Sequence, residues 1–218
     1  MTKESEIRSA WEGLNDEVDN LCQKFGQKRP LIIAVSKTRS MEEIYAAYDI
    51  GIRDFGENYA QEFEEKASKL PKANWHFIGH LQRSNVKRVA PYAKYIHTID
   101  STKLINKLSN ANYGNHSLIQ VNISSEISKH GVGYQPDLIK QLIIYADEKG
   151  MTIEGLMAIG GLSWDDGEIR KEFIKLNQLR KSIGLAELSI GMSADYKIAI
   201  ECGSTMIRIG TKIFGKRV

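Results

Sequence analysis

Cysteine, proline and long apolar runs are all scarce in this 218-residue chain. The two cysteines, Cys22 and Cys202, lie far apart and form no C-x-x-C pair, which argues against a disulfide framework or a thiolate zinc site and fits a reducing, cytoplasmic setting. The longest aliphatic run, 31–35, falls far short of the ~20 residues that span a bilayer. Residues 1–27 are charged throughout, so no secretory leader is expected. No membrane attachment is expected. With four prolines and no Ser- or Gly-rich stretch, nothing reads as a linker, so residues 1–218 are expected to form one domain. A net charge of +3 is too small to predict a nucleic-acid partner, and the basic cluster Arg83, Lys87, Arg88 and Lys94 reads as a solvated helix face.

What the chain does have is periodicity. Ile7, Trp11, Leu14, Val18, Leu21 and Phe25 recur at steps of four and three, which predicts a leading amphipathic helix within 1–27. Short apolar runs then alternate with longer amphipathic ones. Strands are expected at 31–36, 53–56, 75–79, 95–99, 118–122, 152–159, 187–191 and 206–210. Helices are expected at 42–48, 58–68, 84–90, 103–111, 136–149, 168–183 and 194–201. Strand then helix, repeated about eight times, is the pattern of a parallel sheet closed into a (β/α)8 barrel. The competing open doubly wound sheet normally places a Gly-x-Gly-x-x-Gly turn after its first strand, whereas here that strand runs into Ser36-Lys37-Thr38-Arg39.

In such a barrel, polar residues directly after strands are the candidates for chemistry. Alternation puts Ile33, Val35 and Lys37 on one side, so Lys37 is expected to face the barrel mouth. Desolvation there would favour the neutral amine that condenses with an aldehyde, although a lysine after a strand, taken alone, is more often a solvated surface residue. On the last two strands, Gly191-Met192-Ser193 and Arg208-Ile209-Gly210-Thr211 supply a hydroxyl-and-glycine rim with Arg208 on the inward parity. Loops after strands seven and eight often bind phosphate, so Met192, Ser193, Gly210 and Thr211 are candidate ligand residues; the plainer alternative makes Ser193 and Thr211 helix N-caps. The strand end Glu57-Asn58 could hydrogen-bond a ring hydroxyl, with Glu57 serving equally well as a first-turn carboxylate. His80 and the Gly160-Gly161 pair are further pocket candidates. His76 and His80 are spaced i, i+4 at a strand end and lack the helical His-Glu-x-x-His arrangement, so no metal is expected.

Several stretches together resemble a known family. They are AVSKT at 34–38, FGENYAQE at 55–62, WHFIGHLQ at 75–82, QVNISSEISKHGV at 120–132, EGLMAIGG at 154–161 and, most specific, GMSADYKIAIECGSTMIRIGTKIFG at 191–215. The resemblance is to the pyridoxal phosphate homeostasis proteins, relatives of the barrel domain of alanine racemase. It implies pyridoxal 5'-phosphate as an imine on Lys37, Asn58 near the ring, Arg208 facing the pyridine nitrogen, and phosphate held by Ser193, Gly210 and Thr211. Where many members carry an Asn-Lys pair after Leu81-Gln82, this chain has Arg83-Ser84-Asn85. The implied function is a cytoplasmic, monomeric cofactor carrier or regulator of vitamin B6 pools, serving pyridoxal phosphate-dependent apoenzymes without efficient catalysis. Val218 follows shortly after the eighth strand, which is expected to leave no room for the second domain that supplies a catalytic tyrosine to the racemases. Two alternatives remain: a small amino-acid racemase with Lys37 and either His80 or Tyr59 as bases, and a phosphosugar barrel with an aldolase-type lysine.

Overall fold

A computed structural model describes residues 2–124, 130–161 and 163–216, so part of the 120–132 stretch lies outside the described residues. The leading helix α1 (Lys3–Phe25) starts at Thr2, whose hydroxyl accepts from Ser5 N, and stops at Gly26 in the left-handed region at φ 62°. Its stripe buries Ile7, Leu14 and Val18, as the spacing predicts. Among the described residues nine strands follow: β1 (Leu31–Val35), β2 (Asp54–Glu57), β3 (Asn74–Phe77), β4 (Ala93–Ile99), β5 (His116–Asn122), β6 (Val132–Gly133), β7 (Ile153–Met157), β8 (Glu187–Ser189) and β9 (Met206–Ile209). Between and after them come α2 (Met41–Asp49), α3 (Ala60–Lys69), α4 (Val86–Val89), α5 (Thr102–Ser109), α6 (Pro136–Glu148), α7 (Asp166–Ser182), α8 (Tyr196–Glu201) and α9 (Thr211–Phe214).

Every strand pair is parallel, and β4 pairs with β5 as well as β3, so β1–β5 and β7–β9 close into an eight-stranded barrel. The two-residue β6, which pairs with β5, was not expected. Nor was α9. Two expected helices begin later than their patterns suggest: α3 starts at Ala60, leaving Asn58 and Tyr59 in the preceding turn, and α8 starts at Tyr196. The expected helix at 84–90 divides into a 3-10 turn, Arg83–Asn85, and the single-turn α4.

Strand alternation separates two cores. The outward residues join the helices in the larger one, where Trp75 meets Phe55 at 5.4 Å and Phe63 at 6.1 Å between ring centroids, and Phe63 meets Phe77 at 5.6 Å. Each such pair adds ~0.5–1.5 kcal/mol beyond its buried area. Because Phe63 belongs to α3 and the others to β2 and β3, the cluster clamps α3 onto the strands that precede the site. The barrel interior holds far less apolar matter: Ile33, Leu118, Met157 and Met206, with Leu31, Tyr95 and Ile159 packed on them. The rest of its buried filling is polar, including His76, His97, Ser189 and Arg208.

Candidate functional site

At the carboxyl ends of the strands, one cavity of about 290 Å³ is lined by Lys37, Asn58, Met192, Ser193, Arg208, Gly210 and Thr211, with Val35, Ile78, Ile159 and Ala194. The seven residues singled out on four separate strand ends are thus brought together. An adjoining cavity of about 250 Å³ shares Asn58, Ile78 and Ile159 with it and continues to His80, Gln120 and His130. Gly160 lines neither cavity; a Cβ there would lie 3.2 Å from Asp195 Oδ2. Tyr59 is 59% exposed and is likewise absent from both walls.

Lys37 sits in a tightly held turn. The next residue, Thr38, has φ 65°, a left-handed conformation that costs a β-branched residue energy and persists only where the surroundings enforce it. The surroundings here are polar. Lys66 of α3 donates to Ser36 O at 2.7 Å and to Glu57 Oε1 at 2.8 Å, Ser36 Oγ donates to the same carboxylate oxygen at 2.6 Å, and Glu62 accepts from both Lys66 and Thr38 N. Glu57 is fully buried, and desolvation pushes its carboxyl above the usual range in spite of the Lys66 ammonium. It therefore serves neither of its expected roles: as the last residue of β2 it lies outside the first turn of α3, and it does not line the cavity. Its partner is the underside of the Lys37 turn.

Opposite, Arg208 is 4% exposed and donates through Nη1 to Ser189 O (2.7 Å) and Ser189 Oγ (2.6 Å), and through Nη2 to Ala158 O (2.9 Å). Burial lowers its pKa to about 10, still protonated near neutrality. Register places it beside Ile33 on β1, which confirms its inward parity. The Met192–Asp195 turn is closed by Met192 N donating to Asp195 Oδ1 at 2.6 Å and by Asp195 N donating to Met192 O at 3.1 Å. Ser193 stands within that turn. The N-cap of α8 is Asp195 and that of α9 is Gly210, so Ser193 and Thr211 are not caps.

His80 approaches Asp100 at 3.6 Å and stacks on His130 with centroids 3.7 Å apart; burial chiefly, and then the His130 charge, lower its pKa. Among the described residues no group of three or more His, Cys, Asp or Glu side chains could hold a metal ion. Sequence reasoning missed Ile159, Ser189 and Ala158. The inward parity of Ser189 with the expected strand could have flagged that serine.

One close approach fixes Asn58. A Cβ on Gly79 would fall 2.0 Å from Asn58 O, so only glycine fits beside that backbone. Gly79→Ala is expected to destabilise the fold by about 1–3 kcal/mol through overpacking, read as a lowered urea midpoint with an unchanged slope.

A family model described as alanine racemase, N-terminal domain, matches residues 12–218. The bovine pyridoxal phosphate homeostasis protein is 39% identical over 214 residues, spanning 87% of this chain and 78% of the bovine one. The structure of PipY from Synechococcus elongatus with PLP bound is 28% identical, with a TM-score of 0.80 over 96% of this chain and 100% of that one. An alanine racemase from Clostridium difficile, 12% identical with a TM-score of 0.76, shares the fold over 98% of this chain and 57% of its own. Together with the barrel and the lysine at its mouth, these matches show that the chain belongs to the pyridoxal phosphate homeostasis protein family, built on the N-terminal domain of alanine racemase.

Proposed function

We propose that this protein binds pyridoxal 5'-phosphate as an imine on Lys37 and holds it for vitamin B6 homeostasis. The observation that carries the reading is the single cavity that Lys37 shares with Asn58, Ser193, Arg208, Gly210 and Thr211. The donor set fits the group. Val35, Ile78 and Ile159 offer apolar walls to an aromatic ring. Among the described residues the buried Asn58 Oδ1 has no hydrogen-bond partner, and a ring hydroxyl would satisfy that acceptor. Ser193 and Thr211 bring hydroxyls, and Thr211 opens α9, where the first N–H groups have no intrahelical acceptor and favour an anion.

When bound, the cofactor supplies an aldehyde that condenses with amines and a ring that withdraws electrons. The chain supplies restraint. Arg208 only donates and stays protonated, so it holds a ring nitrogen as acceptor and keeps the ring a poor electron sink. This supports retention over carbanion chemistry. The reading extends to a cytoplasmic monomer that passes its cofactor to pyridoxal phosphate-dependent apoenzymes, and among the described residues no helix is long and apolar enough to cross a membrane. A racemase would need a second base at the cavity. Tyr59 lies away from its walls, while His80 lines the adjoining space and is the residue to test.

Adding pyridoxal phosphate is expected to give visible imine absorbance that borohydride fixes on the peptide containing Lys37. Label persisting in Lys37→Ala would sink the assignment, and no affinity for the aldehyde would favour the phosphosugar reading. For the racemase alternative the measurement is solvent-deuterium entry at Cα of L-amino acids, expected to stay at the free-cofactor background.

A further inference from the structure

Arg208 has a buried charge, but among the described residues none of its hydrogen bonds goes to a carboxylate; Asp195 attracts it at longer range. An unpaired buried cation is costly unless its field is compensated. The compensation lies in a line of buried side chains running down the barrel. Ser189 Oγ lies 3.0 Å from His97 Nδ1, His97 Nε2 lies 3.0 Å from His76 Nδ1, and His76 Nε2 lies 3.1 Å from Asp54 Oδ1. His76, His97 and Ser189 are fully buried, whereas the Asp54 side chain keeps 16% exposure at the opposite end of the barrel, where β2 begins.

Donor and acceptor roles along this line follow from its ends. A carboxylate only accepts, so His76 carries its proton on Nε2 and, being neutral, accepts at Nδ1. His97 must then donate from Nε2 and accept at Nδ1, which requires the Ser189 hydroxyl to donate to it. That leaves a Ser189 lone pair for the Arg208 N–H, and a guanidinium only donates. The carboxylate end sets the direction and the guanidinium end is compatible with it. Burial lowers the pKa of both histidines and keeps them neutral, although Asp54 pulls His76 the other way. The remaining groups facing the line are Lys94 and His116, which also disfavour charge on His76, and Tyr95, whose ring stacks on His76 at 4.7 Å.

We propose that Asp54, His76, His97 and Ser189 are positioning residues that act through Arg208, forming a one-directional hydrogen-bond relay that orients the guanidinium and delivers a remote counter-charge to the cofactor's ring nitrogen. The second half of this statement rests on the cofactor reading above; the direction of the relay does not. Polarisation adds along such a chain in a low-dielectric interior, so the Asp54 charge is felt at Arg208 through neutral intermediaries. The ring nitrogen then meets an arginine softened by the relay.

Two arms test it. In protein without added cofactor, nitrogen NMR of the histidine rings is expected to show His76 and His97 both protonated at Nε2 and bare at Nδ1. Ser189→Ala removes one link yet leaves both carbonyl contacts of Arg208, and should leave His97 protonated at Nε2 with its Nδ1 bare of a donor, whereas Asp54→Asn, which removes the acceptor-only end, should release both rings to exchange between tautomers. In protein loaded with pyridoxal phosphate, Ser189→Ala and Asp54→Asn should each change the ratio of the visible imine bands at fixed pH by about threefold, equivalent to half a pKa unit, with borohydride labelling at Lys37 retained. The double variant should move no further than Ser189→Ala alone, because a broken chain carries no signal from Asp54. Additive shifts, or His97 protonated at Nδ1 in the unmodified protein, would overturn the relay. Failure of the unmodified protein to form any imine would overturn the cofactor reading and with it the relay's action on the ring, leaving the NMR arm to decide the direction.

Discussion

Lys66→Met is expected to cost the fold about 3–5 kcal/mol at pH 8, the usual penalty for stranding one member of a buried ion pair. Methionine keeps the aliphatic stem, so packing changes little. What disappears is the ammonium that bonds Glu57, Glu62 and Ser36 O. Glu57 is then left with the Ser36 hydroxyl alone. Its carboxyl, already raised by burial, rises further once Lys66 no longer opposes the shift. The sign of the pH dependence follows. A folded-state pKa above the unfolded value near ~4.3 means that the folded protein binds more protons between the two values, so stability is lost as pH rises through that interval. The deficit of Lys66→Met should therefore be smallest in mildly acidic urea titrations and largest at pH 8. Adding Glu57→Gln to Lys66→Met removes the stranded charge and should restore most of the loss. A cost below ~1 kcal/mol at pH 8, comparable to an exposed pair, would show that the pair is solvated and does not hold the Lys37 turn.

That turn marks where the sequence stops being legible. The barrel follows from local patterns: alternation at Ile33, Val35 and Lys37 places the lysine, and the same parity places Arg208 beside Ile33. The cavity is readable for the same reason, since its residues sit at strand ends whose direction alternation dictates. The supports are not. Glu57 at the end of β2 meets Lys66 on α3 nine positions further on, and His97 reaches Ser189 over 92 positions. Neither spacing has a period to detect. His76 drew attention as a metal candidate with His80, yet its ring is inside the barrel against His97 while His80 stands at the mouth with His130. A histidine on the inward parity of a strand is silent about whether its partner is a metal, a carboxylate or another imidazole until the fold brings that partner near. Likewise, the late starts of α3 and α8 reflect turns closed by contacts that helical periodicity does not encode, such as Met192 N to Asp195.

Ser193→Asp is expected to weaken pyridoxal phosphate binding by 30-fold or more, while leaving the affinity for pyridoxal itself nearly unchanged. At pH 7 the phosphate carries about −1.5 to −2 charges. A carboxylate about 5 Å away repels that charge by ~1–2 kcal/mol at the dielectric of water and by ~5–7 kcal/mol at the effective dielectric of a protein surface, and ~2 kcal/mol already means about 30-fold in affinity. Ser193→Ala separates this repulsion from the lost hydroxyl. It forfeits one hydrogen bond to a charged acceptor, about 1.5–3 kcal/mol, so it should weaken binding by tenfold or more while remaining the milder change. The unphosphorylated aldehyde is the decisive comparison: on the proposed reading it would form the same imine with Lys37 and meet the same ring contacts, but it offers nothing for the new charge to repel. If Ser193→Asp weakens both aldehydes equally, residue 193 acts on the shape of the cavity and the phosphate lies elsewhere. If it weakens neither, the turn between β8 and α8 does not face the ligand at all.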